Sequence, residues 1–372
     1  MNSGRPVVIS AGLRTPIGTA GGALADVPVV DLAAPLVRVL AAESHGNRID
    51  EVILGNCLGP GGNIARSAGL AAGLDASVPA VTVDRQCGSG LAAVAQAAAR
   101  LGSGRAGTVL AGGAESASTA PWRYWPPTVD DPEPRRYTRA PFAPPGFPDP
   151  SMGEAADRVA AHLGISRTRQ DEWAQRSHRL AHAAVLSGAF VPEILPVAGL
   201  DHDQRPRPGL STARLSRLPP AFTAGGTATA GNSCGISDGA AVLLVTGGGA
   251  GLAIRGIATV GGDPGLPGMA AGQAIHRVLD AAGLAPQDLD AIEITEAFAS
   301  VALATIDLAG LDPERVCTDG GAIGYGHPWG ASGAVLLVRL LHRMERDDQT
   351  VGVAACAIGG GQGIAMLVER VG

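Results

Sequence analysis

Lysine is absent from this chain: all 28 basic residues are arginine. The absence follows a composition weighted toward Ala, Gly and Arg, and it removes the lysine on which a P-loop depends. Aromatic residues make up only 3%, so a core has to be assembled from Ala, Val, Leu and Ile. The five cysteines, at positions 57, 87, 234, 317 and 356, are odd in number and form no CxxC pair. That pattern argues against a disulfide framework or a zinc site, and for a reducing compartment with one reactive thiol. No apolar run reaches the roughly 18 residues of a membrane span, and the N-terminal Val7-Val8-Ile9 stretch lacks the basic and apolar blocks of a signal peptide. The expected location is the cytoplasm. A net charge of −6 offers no basic face to nucleic acid.

What is present is a long, ordered, glycine-rich chain. Its 372 residues exceed the usual single core, so two domains or two fused halves are expected. Hydrophobic residues at 46% and charged residues at 17% exclude disorder as the dominant state. The 54 glycines and 27 prolines are scattered through motifs with no repeat or linker period.

Short β-type runs alternate with Ala-rich helical stretches. Strands are predicted at 7–10, 51–54, 80–83 and 108–111, with helices at 30–42, 65–72 and 88–101 between them. This spacing predicts an α/β layered fold. Between Pro121 and Pro150 the alternation stops, and Trp122, Tyr124, Trp125, Tyr137, Phe142 and Phe147 fall among prolines. An aperiodic excursion of that length predicts an ordered lid or binding loop. Helices at 155–163 and 168–187 follow, then a polar Arg/Pro segment over 201–217. After Gly247-Gly248-Gly249 the alternation restarts, with strands at 253–260, 291–295, 351–355 and 364–368 and helices at 270–282, 297–308 and 330–344. The halves echo each other: Gln86-Cys87-Gly88-Ser89-Gly90-Leu91 opens a helix in the first, and His327-Pro328-Trp329-Gly330-Ala331-Ser332-Gly333 opens one in the second. A duplicated α/β unit is the economical reading.

Cys87 follows a strand and starts an Ala-rich helix, where free backbone N–H groups and the helix dipole favour a thiolate. A cysteine there is also an ordinary small core residue, so the reading needs a partner. His327, in the turn Gly324-Tyr325-Gly326-His327-Pro328, is a candidate that would give the Cys–His arrangement of nucleophilic catalysis. The bend Cys356-Ala357-Ile358-Gly359-Gly360-Gly361-Gln362-Gly363 offers backbone amides for one side of an oxyanion hole.

Together these segments resemble the thiolase family over nearly the whole chain. The similar stretches are Ala11–Gly18, Cys87–Leu91, Gly112–Ser116, Ser151–Gly153, Gly231–Ala241, Glu296–Ala299, Gly326–Pro328 and Gly359–Gly363, eight in the family's order. The resemblance implies a thiolase fold of two duplicated α/β halves in layered sheets: 1–246, carrying an inserted loop region at about 118–217, and 250–372. It implies an acyltransferase in which Cys87 takes an acyl group from an acyl thioester and His327 accepts its proton. The N–H groups of Cys87 and Gly359 would stabilise the oxyanion. Coenzyme A enters as the thioester substrate, with no metal and no separate cofactor. Arg207 matches the arginine that contacts the adenine nucleotide, Ser151 and Met152 the wall of the pantetheine tunnel, and Cys234 replaces the serine that contacts the pantetheine amide. A homodimer or homotetramer is implied as well.

The sequence departs from the family at chemically important positions. Thr295 stands where the family has an asparagine that holds a water, a task a hydroxyl can also perform. The cysteine that normally precedes Ile-Gly-Gly-Gly and deprotonates the incoming acetyl-CoA is Ala357 here. Cys356 lies one residue earlier, which on a strand means the opposite face unless a bulge restores it. Acyl transfer to Cys87 survives that change on paper, and carbon–carbon chemistry is compromised. Three alternatives to ordinary thiolase activity therefore follow: transfer to a non-enolate acceptor, hydrolysis of the thioester, or a non-catalytic partner subunit. The donor is an acyl-CoA or a carrier-bound acyl group, and Trp329 and the aromatic excursion would shape its pocket.

Overall fold

A computed structural model describes residues 6–44 and 46–372. The first half runs β1 (Val7–Arg14), β2 (Gly18–Thr19), α1 (Val29–Ala42), β3 (Glu51–Gly55), α2 (Ile64–Ala71), β4 (Ala80–Val83), α3 (Ser89–Gly102) and β5 (Thr108–Ser116). The excursion holds β6 (Arg123–Trp125), β7 (Arg135–Tyr137), α4 (Met152–Leu163), α5 (Arg167–Ser187) and α6 (Thr212–Leu215), and the chain returns in β8 (Ser237–Gly247). The second half runs β9 (Gly251–Gly261), α7 (Ala270–Ala282), β10 (Ala291–Ile294), α8 (Ala299–Ala309), α9 (Ala322–Tyr325), α10 (Trp329–Arg346), β11 (Val351–Ile358) and β12 (Gln362–Val371).

Nine strands follow one path, β4-β3-β5-β8-β1-β9-β12-β11-β10, with β2 added beside β8. The path contains the same unit twice. β3 pairs parallel with β5, β5 antiparallel with β8, and β8 antiparallel with β1. In the second half β10 pairs parallel with β11, β11 antiparallel with β12, and β12 antiparallel with β9. The copies join where Val8 and Ile9 meet Ala253 and Leu252. The equivalent helices α3 and α10 lie between the halves. One apolar cluster joins Leu91 and Val94 of α3 and Val335, Leu336 and Val338 of α10 to Ile9 and Leu243 of one half and Ile364 and Met366 of the other. Helices α1 and α2 cover the outer face of the first half, and α7 and α8 that of the second. The layers are therefore helix, sheet, helix, sheet, helix.

The core is aliphatic and alanine-rich, which allows close backbone approach. A Cβ on Gly90 would stand 2.6 Å from the Ala334 nitrogen, and one on Gly333 2.5 Å from the Leu91 nitrogen. Both contacts would be overlaps, so glycine is required for α3 and α10 to meet. Their N-termini, one carrying Cys87 and the other His327, are brought together by this crossing.

Two elements differ from the sequence expectation. Strand β8 was not anticipated; it is central and buried along nine of its eleven residues. The excursion, expected as an ordered loop without regular elements, contains a short hairpin in which β6 and β7 pair through three residues each and Trp125 stacks on Tyr137 at 4.7 Å. Trp122, Tyr124, Trp125 and Phe147 are exposed, and Phe142 is the aromatic that reaches the glycine bend. The insertion is anchored to the sheet by Arg14 at the end of β1. Its buried guanidinium donates to Glu193 Oε1 at 2.8 Å and to both oxygens of Asp203 at 2.7 and 2.9 Å. A paired, fully hydrogen-bonded arginine is the form in which a buried charge is tolerated.

Candidate active site

Between β4 and α3 the chain turns through Asp84–Gly88. Asp84 Oδ1 accepts the Gln86 N–H at 2.8 Å, Ser89 Oγ accepts the Arg85 N–H at 2.7 Å, and the same hydroxyl donates to Gln86 O at 2.6 Å. These bonds hold Gln86 at φ +48°, a left-handed conformation that costs a non-glycine residue about 1 kcal/mol. The turn delivers Cys87 to the position just before Gly88, the N-cap of α3. Gly88 beside it lies against the Ile358 side chain, where a Cβ would sit 2.5 Å from Cδ1.

His327 is delivered by a second constrained turn. Gly326 has φ +119°, and the His327 N–H donates to Ser237 Oγ at 3.1 Å and to Gly235 O at 3.3 Å. Its ring spans two partners, with Nδ1 2.6 Å from Ser332 Oγ and Nε2 3.3 Å from Cys87 Sγ. With the proton on Nδ1 and donated to Ser332, the Nε2 lone pair faces the thiol. Burial lowers the imidazole pKa to about 4, so the ring is neutral near pH 7.

The expectation of a thiolate-favouring helix start is corrected. Burial pushes the Cys87 thiol well up, the neighbouring Cys356 and Cys234 push it further, and its own backbone N–H opposes them only in part. Desolvation outweighs the helix terminus. The resting site is thus a neutral thiol beside a neutral imidazole, and charge forms only as the proton moves.

Ser332 was not singled out in the sequence as a partner of the histidine, although it lies five residues on, in the glycine-rich start of α10. A buried carboxylate was missed as well. Glu115, at the end of β5, accepts from Asn56 Nδ2 at 2.9 Å and from the N–H groups of Cys57, Leu58 and Gly330 at 3.0, 3.1 and 3.0 Å. It ties the start of α10 to the loop beneath Cys87. Glu296 plays a similar part, accepting from Trp173 Nε1 at 2.9 Å, Ser177 Oγ at 2.6 Å and the Ile323 N–H at 3.1 Å. The signal for both was a carboxylate inside an otherwise apolar strand or turn, a position that requires hydrogen-bonded partners.

Thr295 and Cys356 lie together, Oγ1 to Sγ 3.0 Å, both buried. Cys356 pairs with Ile364 across the hairpin without a bulge and faces the central helical cluster. Burial raises its thiol to about 12, opposed by the Thr295 hydroxyl. Ala357 faces the other way, toward Phe298, Ala156, Ala228 and Val301. Phe298 meets Phe222 edge-on at 5.7 Å, and a Cβ on Gly153 would strike the Phe222 ring. Met152 and Ser151 begin α4 on this wall, Ser151 Oγ accepting the Glu154 N–H at 3.4 Å. Phe142 closes over Gly359, whose Cβ would lie 2.5 Å from its ring. The N–H groups of Cys87 and Gly359 have no acceptor among the described residues. Cys234 is half-buried beside the histidine turn. Arg207 lies apart, its side chain exposed and its N–H donating to His178 Nδ1 at 3.3 Å. Among the described residues no group of three or more His, Cys, Asp or Glu could hold a metal, and no helix is long and apolar enough to cross a membrane.

A duplicated α/β fold whose two central helices begin at a cysteine and a histidine in contact defines an acyltransferase that works through a thiol. The comparisons agree. Residues 7–248 match the model of the thiolase N-terminal domain and residues 250–370 that of the thiolase C-terminal domain. The acetyl-CoA acetyltransferase of Escherichia coli strain K12 is 42% identical, covering 98% of this chain and 99% of its own. A putative acetyl-CoA C-acetyltransferase, VraB, of Staphylococcus haemolyticus is also 42% identical, over 96% and 97%. The crystal structure of the Bacillus anthracis acetyl-CoA acetyltransferase superimposes with a TM-score of 0.94 at 35% identity, covering all of both chains. The chain belongs to the thiolase family.

Proposed function

We propose that the protein moves an acyl group from a coenzyme A thioester onto Cys87 and from there to a second acyl-CoA or, in reverse, to coenzyme A. The carrying observation is the 3.3 Å contact between Cys87 Sγ and His327 Nε2. His327 takes the thiol proton as Cys87 attacks the thioester carbonyl, and Ser332 holds the imidazole in the required tautomer. The free N–H groups of Cys87 and Gly359 are available to the developing oxyanion. Arg207 offers an exposed cation to the nucleotide end, and Met152 and Ser151 border the path of the pantetheine arm. No resident metal or cofactor is required for these steps.

The reading extends to assembly and location. Among the described residues β4 is an edge strand with one side unpaired, a template for a second copy of the chain, which supports a homodimer or a homotetramer; a cytoplasmic location is part of the same proposal. Ala357 favours a second reading, in which the acyl group leaves Cys87 for an amine, an alcohol, water or a decarboxylating β-keto acid. A carrier-protein thioester is the other donor to test.

Intact-protein mass spectrometry after incubation with acetyl-CoA and a panel of longer acyl-CoAs is the test, with Cys87→Ala as control. An acyl adduct that disappears in Cys87→Ala supports the reading, and absence of any adduct in the parent protein overturns it. Thiolysis of a β-ketoacyl-CoA, followed with and without added coenzyme A, separates transfer to coenzyme A from hydrolysis.

A further inference from the structure

The carbon–carbon step needs a group that exchanges a proton with the α-carbon, and the position the family fills with cysteine holds Ala357. The carboxylates and the other thiols near Cys87 are engaged elsewhere. Glu115 and Glu296 are committed to four and three hydrogen bonds. Cys356 is fully buried and bonded to Thr295. His327 serves Cys87. Cys57 donates to Gln86 O at 3.2 Å, beneath the turn, and Cys317 to Ile294 O.

Cys234 remains, and its placement is specific. Its N–H donates to Ala297 O at 3.0 Å, the next residue's carbonyl accepts the His327 N–H, and Ile236 pairs with His327. The segment 233–236 is therefore stitched between the Thr295–Phe298 turn and the histidine turn, with Cys234 packed on the cluster that also carries Ile358 and Ile364 behind Gly88. The two residues that follow it are bonded to the same His327 turn whose ring reaches Cys87 Sγ at 3.3 Å. Among the described residues it is the one cysteine whose thiol has no hydrogen-bond partner, and it is half-buried where Cys356 is fully buried. Arg205 flanks it, donating to Ser233 O at 3.2 Å and packing on Gly235 so closely that a Cβ there would lie 2.2 Å from Nη1.

We propose that Cys234 is the second proton-transfer residue of this active site, exchanging a proton with the α-carbon of the acyl-CoA in the step Ala357 cannot serve. The inference rests on the acyl-Cys87 reading above. In the cleaving direction the Cys87 thiolate adds to the β-carbonyl and the Cα–Cβ bond breaks. Its electron pair passes to the α-carbon, Cys234 S–H delivers the proton there, and acetyl-CoA leaves. The Cys234 thiolate then takes the proton of coenzyme A as that sulfur attacks the acyl-Cys87 carbonyl, and Cys87 departs as thiolate. Burial raises the Cys234 thiol to about 12 while Arg205 draws it down, so it rests protonated and its thiolate forms beside a cation.

The test uses the full chain with two readouts: acylation of Cys87 by acetyl-CoA, and entry of solvent deuterium into the methyl group of acetyl-CoA. Cys234→Ser is expected to lose deuterium exchange and thiolysis by roughly 10²- to 10⁴-fold beyond any change in the rate of Cys87 acylation, which the first readout measures separately. The double variant Cys234→Ser with Ala357→Cys is expected to recover exchange at least tenfold, on the order of the lower bound for a restored general base. Exchange in Cys234→Ser within a few-fold of the parent overturns the proposal, as does a parent that acylates Cys87 without any exchange. A parent with no acyl-Cys87 from any coenzyme A ester overturns the underlying reading instead, so the two failures are distinguishable.

Discussion

Gly333 of α10 faces the backbone nitrogen of Leu91 in α3 so closely that a Cβ would sit 2.5 Å from it. This contact sets the separation of two helix starts, and with it the distance between Cys87 and His327. Gly333→Val has no flexible neighbour to displace, because the opposing atom is backbone. Overpacking of this kind costs typically about 1–3 kcal/mol, and the expected result is a lower midpoint in urea. The loss of activity should exceed what the unfolded fraction explains, since the Cys–His contact opens as well. Full activity in Gly333→Val at a temperature where it remains folded would separate the helix crossing from the chemistry.

His327→Asn removes the acceptor for the Cys87 proton and leaves a polar side chain in the turn. A missing general base costs roughly 10²- to 10⁴-fold, to be read as the rate of Cys87 acylation in stopped samples. Ser332→Ala keeps the base and loses only the 2.6 Å contact that orients it. A smaller fall, of about tenfold and in kcat more than KM, is expected there, on the order of one lost hydrogen bond. Equal rates in the two variants would contradict the division of labour.

Glu115→Gln substitutes an amide into a cradle made of four N–H donors. An amide has one oxygen where the carboxylate has two, so at least one donor loses its acceptor and the new NH₂ faces other donors. A destabilisation of about 2–3 kcal/mol follows from the loss of charge-assisted bonds in a buried site. Because the carboxylate also lies at the N-terminus of α10, the variant should slow acylation without changing its pH dependence. Calorimetry together with the acylation rate checks both parts.

Most of the layered architecture was legible because short β-type runs alternate with Ala-rich helical runs, and because two glycine-rich helix starts echo each other. β8 was not, since the apolar run after Asp238-Gly239 reads equally well as a strand or as a buried helical segment. Cys87 and His327 were identifiable as candidates from their turns, yet nothing in their spacing of 240 residues fixes a 3.3 Å contact. The electrostatics ran opposite to expectation for a related reason. A helix terminus is visible in sequence, whereas the desolvation that outweighs it at Cys87 is a property of the assembled layers.

The unbroken register of β11 and β12 places Cys356 on the core face, opposite to Ala357. Cys356→Ala therefore removes a sulfur from a packed cluster and one contact with Thr295, a cost of about 1 kcal/mol on the scale of small core truncations. Acylation of Cys87 and thiolysis are expected within about threefold of the parent, less than one hydrogen bond's worth of rate. A severe loss of thiolysis in this variant would mean that the strand-face argument fails.

Two buried histidines make stability depend on pH in a predictable direction. Burial lowers His327 from 6.5 to about 4, and burial with the adjacent Arg205 and Arg207 lowers His178 to about 4. In each case the folded pKa lies below the unfolded one. The unfolded chain thus binds the extra proton first, and the stability present above pH 6.5 is lost as pH falls toward 4. Each group contributes a slope of about 1.4 kcal/mol per pH unit in that window. Buried Glu115, Glu293 and Glu296 are raised by burial and act with the opposite sign, so a single stability curve would mix the two. His178→Gln isolates one term, because the amide oxygen can still accept the Arg207 N–H and carries no titratable proton. The stability of His178→Gln relative to the parent should rise by roughly 1–2 kcal/mol between pH 6.5 and pH 5, measured by urea unfolding at each pH. A difference that stays flat across that range would show that His178 is not held neutral by its surroundings.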